Sequence, residues 1–298
     1  MKNIRFIGCF LGVATLMFSC SEMNESFSPA QEQISINGTL DGFSAMPLTR
    51  TQVGSMAEDG ALLMEWSVGD QVGMFGGNTV NAPFTGNHTA PAAQTTFLGS
   101  IASGDVPQYA YYPYNEQAVN LQSIPVVIPT EQAYADVNSI AAYDVKATDV
   151  ITDMGNGTYQ LNMRQMVSLV RFEISLTGVD GLSTDEKLQR VELKTGAPVT
   201  GSYTYDLTNL DNGFTGLSDA QSTSLNLTFV NQPSLSEKVI AYAVAAPGTQ
   251  GGKTWECTFL SDKHQVSFTT TALCDFEAGK YYIMPLSATV LENNQAVI

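Results

Sequence analysis

The 298-residue chain is short of charge, and above all of positive charge. Lys and Arg number 13 against 29 Asp and Glu, and charged residues make up 14% of the total, against about 25% in a typical soluble domain. With a formal net charge of −16 and no basic run, the chain has nothing with which to neutralise phosphates, which excludes nucleic acid as a partner. Histidine is scarcer still. His88 and His264 stand apart in polar surroundings, so neither a zinc site nor a Ser-His-Asp triad is expected. No G-x-S-x-G, Walker loop or G-x-G-x-x-G is found opening a helix, and no metal or cofactor is called for. Asp206 to Gly213 is acidic but lacks the alternating ligands of a calcium loop and reads as a turn. Paired glycosidase carboxylates are defined by their separation in space, on which sequence is silent. No catalytic case emerges, and an enzyme is not expected. After the first twenty residues, no apolar run approaches the ~18 residues of a membrane-spanning helix.

Those first twenty residues differ in kind. Lys2 and Arg5 precede an apolar core from Phe6 to Phe18, and Leu16-Met17-Phe18-Ser19 leads into Cys20. This is the pattern of a secretory signal peptide over residues 1–19 whose removal leaves a cysteine first. Such a cysteine accepts lipid in bacterial lipoproteins, so Cys20 is the expected lipidation site and the outer membrane the expected anchor. The bulk of Met17 and Phe18 leaves the cleaved bond less well defined than the acceptor. Several acyl chains make such a tether stable, at roughly 0.8 kcal/mol per buried methylene. Residues 20–33, rich in Ser, Glu, Asn and Gln, read as a flexible tether.

About 280 residues remain, enough for two domains. Their apolar residues alternate with period two: Ile34, Ile36 and Leu40; Val170, Phe172, Ile174 and Leu176; Leu225, Leu227 and Phe229; Val266 and Phe268. The unbroken run Val239 to Ala246 suits a strand buried on both faces. Asp59-Gly60, Gly155-Asn156-Gly157 and Asp211-Asn212-Gly213 suit hairpin connections. One short helix is predicted, at the capping box Ser183-Thr184-Asp185-Glu186. The fold class is therefore all-β, many short strands in sandwiches. Domains are drawn at 34–170 and 171–298. Cys257 and Cys274 sit on the apolar parity of their strands and read as small core residues. A tight turn at Asp262-Lys263 would set Cys257 opposite Phe268, so that hairpin alone would not join the two cysteines.

Arg50 is singular. It is the sole Lys or Arg between Arg5 and Lys146 and lies in Met46-Pro47-Leu48-Thr49-Arg50-Thr51, where Pro47 argues against a central strand. An exposed lone arginine there suits a protease with a carboxylate-lined pocket; a surface arginine at a strand start is the plainer reading.

A string of motifs resembles the fimbrillin-like lipoproteins of Bacteroidales, the subunits and accessories of type V pili. Trp66-Ser67-Val68-Gly69-Asp70-Gln71-Val72-Gly73-Met74-Phe75 is similar to that family's W-x-x-G-D strand entry. Tyr109-Ala110-Tyr111-Tyr112-Pro113-Tyr114 resembles its tyrosine-rich YP strand, Ile128-Pro129-Thr130-Glu131-Gln132 its P-x-x-Q element, and Tyr143-Asp144-Val145 with Ala147 its D-x-x-x-A segment. Leu161 to Ile174 is similar to the stretch before the second half, with Gln165 where His is frequent, and Ala278-Gly279-Lys280-Tyr281-Tyr282 resembles the closing A-G-K-x-Y strand.

The resemblance implies two tandem transthyretin-like β-sandwich domains and a fimbrial subunit displayed at the cell surface. It also implies that an Arg-specific protease removes the N-terminal segment with its first strand, and that a neighbouring subunit's C-terminal strand refills the groove. Mapped here, cleavage after Arg50 would release residues 20–50 with the strand 34–40. Leu286, Ala288 and Val290 would supply the donor alternation, beyond a strand break at Pro285. Such a contact joins subunits head to tail and grows a filament. The tail from Leu286 to Ile298 is short for a donor, which keeps other readings open. One is a lipidated anchor, tip or adhesin accessory that retains residues 20–50 and meets a host or bacterial surface ligand. Another is a glycan-binding surface lipoprotein using Tyr109, Tyr111, Tyr112 and Tyr114.

Overall fold

A computed structural model describes residues 30–41, 43–45, 62–148, 150–175, 183, 185–216 and 218–287. Among them the chain is all β apart from three short 3-10 turns. The first half contributes β1 (Gln31–Leu40), β2 (Ser44–Ala45), β3 (Gln71–Gly76), β4 (Ala82–Gly86), β5 (Gln94–Ala102), β6 (Pro107–Tyr112), β7 (Ile124–Ile128), β8 (Glu131–Tyr134), β9 (Lys146–Thr148), β10 (Ile151–Gly155) and β11 (Thr158–Gln165). The second contributes β12 (Ser168–Ser175), β13 (Leu188–Lys194), β14 (Thr200–Tyr205), β15 (Gln221–Ser222), β16 (Ser224–Phe229), β17 (Val239–Ala245), β18 (Thr254–Ser261), β19 (Gln265–Thr271) and β20 (Lys280–Ser287).

The first sheet runs β1-β5-β4-β3-β6-β9-β11-β10 and closes on itself, because β1 also pairs with β11. Alternation along the strands sends Ile36, Val72, Met74, Phe84, Phe97 and Leu161 inside, where each fully buried aliphatic or aromatic side chain contributes roughly 1.5–3 kcal/mol. The second half holds three sheets, β17-β12-β20-β2, β19-β18-β13-β16-β8 and β15-β14-β7, around a separate and larger core. Trp66 lies in the first core and Trp255 in the second. As the run Val239 to Ala246 leads one to expect, β17 is buried along almost its whole length, and so is β12.

The sheets do not part at a single residue. β11 ends at Gln165 in the closed sheet and β12 opens at Ser168 in the next, so position 170 falls inside β12. Strands β2, β7 and β8 precede that switch, yet pair with β20, β14 and β16 beyond it.

Local chemistry accounts for most connections. Asn156 and Gly157 both take positive φ, 55° and 71°, which a two-residue hairpin of primed type requires between β10 and β11. Asp211-Asn212-Gly213 is not a tight hairpin. It forms a 3-10 turn, Leu210–Asn212, within the long β14–β15 connection. Ser183 and Glu186 make only half of a capping box: Ser183 N–H donates to Glu186 Oε1 at 2.6 Å, but Glu186 N–H donates to the Ser183 carbonyl and the Ser183 hydroxyl to Asp185, and the chain enters β13 instead of a helix. Glu186 is held there by tertiary partners: the Ser261 hydroxyl donates to Oε2, and His264 Nδ1 lies 2.9 Å from Oε1. The capping box that does open a helical turn is elsewhere, Asp136 with Ser139 before the 3-10 turn Val137–Tyr143. In the β18–β19 hairpin Cys257 stands opposite Phe268, as the turn geometry requires. Cys257 is fully buried, Cys274 is partly buried, and both are free thiols.

Candidate assembly groove

β1 occupies a slot between two strands. It runs antiparallel to β5, from Gln31 opposite Ala102 to Thr39 opposite Gln94, and parallel to β11, from Ser35 opposite Thr158 to Leu40 opposite Met163. Its inward residues are Ile34, Ile36 and Gly38, with Leu40 packed at the edge of the same core. Burial of Ile34 and Ile36 contributes roughly 3–6 kcal/mol. Gly38 is needed for space: a Cβ there would stand 2.7 Å from the Phe97 ring. That ring has nowhere to go, since it is fully buried and meets Trp66 edge-on at 4.8 Å. On the outer face the Thr96 hydroxyl donates to Asn37 Oδ1 at 2.9 Å, and that of Thr39 to Asn162.

The chain then crosses to the other half. Phe43, 1% exposed, enters the second core and bridges to Leu62. β2 pairs parallel with the start of β20, Ser44 opposite Lys280 and Ala45 opposite Tyr281. Ser44 N–H donates to the Gly279 carbonyl at 2.9 Å, and Lys280 Nζ to Ser44 Oγ at 2.8 Å. One short segment thus fastens both halves.

Of the residues singled out for processing and assembly, Cys20, Arg50, Ala288 and Val290 lie outside the described residues. Leu286 is fully buried in its own chain, opposite Ile174 of β12. The expected break at Pro285 is absent: β20 runs through it to Ser287. β12 pairs along one side of β20, while β2 covers the other only as far as Tyr281. At residue 285 that second edge has no described partner, and on such an edge proline forfeits no ladder bond.

The motifs work as structural fasteners. Asp70 closes the turn after Trp66 by accepting from Ser67 N–H at 2.7 Å, and its other oxygen accepts from the Tyr112 hydroxyl at 3.0 Å. Tyr111 is buried and donates to Asn81, and Tyr112 packs edge-on against Trp66 at 5.4 Å. Neither forms part of an exposed aromatic platform. Gln132, 1% exposed, imitates a strand partner: Oε1 accepts from Val244 N–H at 2.8 Å, and Nε2 donates to the Val244 carbonyl at 2.7 Å. Asp144 and Lys146 form a buried ion pair, which Gln165 bridges with its amide nitrogen 2.7 Å from Asp144 and its oxygen 3.0 Å from Lys146. Sequence reasoning missed this pair, because the motif was read through Tyr143, Asp144, Val145 and Ala147 and passed over Lys146 between them.

Among the described residues no serine hydroxyl bonds the imidazole of either histidine. Ser261 donates to the Glu186 carboxylate and not to the imidazole, so the Ser261, His264 and Glu186 group clasps the β18–β19 turn to the start of β13. His88 Nδ1 is spent on the Thr95 hydroxyl at 2.9 Å. Among the described residues no group of three or more His, Cys, Asp or Glu is placed to hold a metal ion.

A profile of the fimbrillin-like family matches residues 49–298. The chain belongs to the fimbrillin-like family. Two solved structures share its fold. A candidate cell adhesion protein from Bacteroides ovatus ATCC 8483 superposes with a TM-score of 0.58 at 12% identity, covering 87% of this chain and 92% of that one. Another from Bacteroides uniformis ATCC 8492 gives 0.50 at 15% identity, covering 86% and 94%. None of the curated proteins matches the chain. Family membership supports a pilus-related role at the cell surface and, with it, contact with other fimbrial subunits.

Proposed function

We propose that this fimbrillin-like chain is a structural subunit of a cell-surface fimbria. It is exported as a lipoprotein through Cys20 and built as two tandem transthyretin-like sandwiches that meet at the β11–β12 switch. It is trimmed after Arg50 by an Arg-specific protease and polymerised by donor-strand exchange. The observation that carries this reading is the position of β1, which is hydrogen-bonded on both edges inside a closed sheet and lies wholly before Arg50. Its release would bare two ladders beside an apolar floor, which an extended peptide can refill with backbone bonds and alternating side chains. A subunit that gives a strand at one end and receives one at the other joins head to tail without closing.

One observation favours a second reading, a lipidated anchor or tip that keeps residues 20–50. Phe43 and β2 bind that segment to the second half as well as the first, and this opposes its loss. N-terminal sequencing of the protein taken from its native cell surface separates the two. A subunit begins at Thr51, whereas an anchor keeps Cys20 with its lipid. In vitro, trypsin should cut first after Arg50, and the trimmed protein should oligomerise. The Arg50→Ala variant should stay monomeric under the same treatment. A trimmed protein that stays monomeric at high concentration refutes the subunit reading.

A further inference from the structure

Lys146 is the one buried lysine among the described residues, 1% exposed within the closed sheet. β9 sets it between Tyr112 of β6 and Gln165 of β11, its direct partners across the two ladders. Asp144 lies two residues earlier on extended backbone, which turns it to the same side. Asp144 and Gln165 are buried as well, and the Tyr112 ring stands 5.6 Å from Lys146 Nζ.

An ion pair accounts for two of these groups, and the placing of the third adds chemistry. The Gln165 oxygen lies 3.0 Å from Nζ, its nitrogen 2.7 Å from Asp144 Oδ1, and Asp144 Oδ2 contacts Nζ. One carboxylate therefore touches both the amine and the amide nitrogen, and the amine lies beside the carbonyl. These are the three parts of a transamidation: a nucleophile, an electrophile, and a group that carries protons from one nitrogen to the other.

We infer that Lys146 Nζ and Gln165 Cδ join in an isopeptide bond, with Asp144 as the proton carrier and ammonia as the leaving group. Burial disfavours both charges of the pair. It pushes the Lys146 amine down to about 7, against the Asp70 carboxylate, which works to raise it. Passing one proton from Nζ to Asp144 leaves a neutral amine and a carboxylic acid. The Nζ lone pair adds to Cδ, and the carbonyl pair moves to Oε1. Asp144 then gives its proton to Nε2 and takes a second from Nζ, the carbonyl re-forms, and the Cδ–Nε2 bond breaks. Ammonia departs, one amide replaces another, and nothing is oxidised. The ladder holds the reacting groups in contact, and burial keeps out water, the competing nucleophile.

Asp144 is the poorer electrophile. A carboxylate resists attack, and an amide from Asp144 to Lys146 would tie one strand to itself. The bond to Gln165 ties β9 to β11, the strand with which β1 pairs. It holds that wall of the groove in place whether β1 stays or leaves, so the inference does not depend on processing.

Digestion of the full, folded chain with a Glu-specific protease and then trypsin, read by mass spectrometry, tests the bond. Glu131 and Glu173 bracket both residues with no glutamate between them, and trypsin cuts a linear chain after Lys146, Arg164 and Arg171. Wild type should give one branched species, residues 132–164 joined to 165–171, uncut at Lys146 and lighter than its parts by one ammonia. Lys146→Arg keeps the charge without the nucleophile and should give separate peptides, as should Asp144→Ala. Separate 132–146 and 165–171 peptides from wild type overturn the inference, whatever the variants do. A species uncut at Lys146 that has lost one water and lacks residues 165–171 overturns the choice of Gln165. A link that survives Asp144→Ala overturns the role given to Asp144.

Discussion

Ile36→Ala should separate the two lives of the N-terminal segment. Ile36 is fully buried, opposite Phe97 on one side and Tyr159 on the other. The substitution removes three carbons, about 2.4 kcal/mol of transfer free energy at ~0.8 kcal/mol each. A cavity term adds to that wherever the walls cannot close, and Ile→Ala changes in cores cost about 2–5 kcal/mol in all. Phe97, opposite Ile36 on β5, is itself fully buried and packed edge-on against Trp66, so little relaxation is expected and a value near 3–4 kcal/mol follows. In thermal unfolding, at roughly 2–4 °C per kcal/mol for a domain of this size, the midpoint should fall by about 6–16 °C. Urea titration of the unprocessed protein, read by Trp66 fluorescence in a Trp255→Phe background, measures the same loss. After cleavage at Arg50, variant and wild type are one and the same molecule, so the trimmed protein should assemble with unchanged kinetics. An unprocessed variant within about 0.5 kcal/mol of wild type, the range of ordinary surface changes, would refute the placement of β1 as a core strand.

Gln132→Leu leaves the Val244 N–H and carbonyl without the bonds now made to Gln132; a loss of about 2–5 kcal/mol is expected in chemical denaturation, with the closed sheet little affected. Gly38→Ala ordinarily favours a strand by about 0.5–1 kcal/mol, but the approach to Phe97 makes overpacking dominate, and calorimetry should show a net loss of about 1–2 kcal/mol. Acid should loosen the clasp at Glu186. Burial works to raise the pKa of that carboxyl, but donation from Ser183 N–H, Ser261 and His264 outweighs it and holds the group below the usual carboxylate range. Its contribution is therefore complete above about pH 4.5 and is lost as pH falls through the lowered native value. Urea midpoints between pH 7 and pH 3 should fall less steeply in Glu186→Gln than in wild type.

Much of this was legible because β structure writes its faces into the chain with period two. Ile34 and Ile36, Leu225 and Leu227, and the double-sided run of β17 needed no tertiary knowledge. The Cys257–Phe268 pairing followed from counting back from a tight turn. The misreadings share one cause, which is that a local pattern met a distant partner. Ser183 to Glu186 carries a helix signature, but Ser261 and His264, more than seventy residues on, capture the glutamate. Pro285 reads as a breaker, but the edge it faces carries no ladder bond to break.

By itself the sequence determined an all-β chain with few basic residues, no clustered catalytic histidines and a motif string that marks its family. Each of these is a property of composition or of neighbours along the chain. Only the tertiary structure decided that the first sheet closes through β1, that Gly38 is small because Phe97 fills its place, and that one short segment fastens both halves through Phe43 and β2. Those facts depend on which strands lie side by side, and backbone pairing joins residues more than a hundred positions apart, with nothing in either strand's own alternation to name its partner.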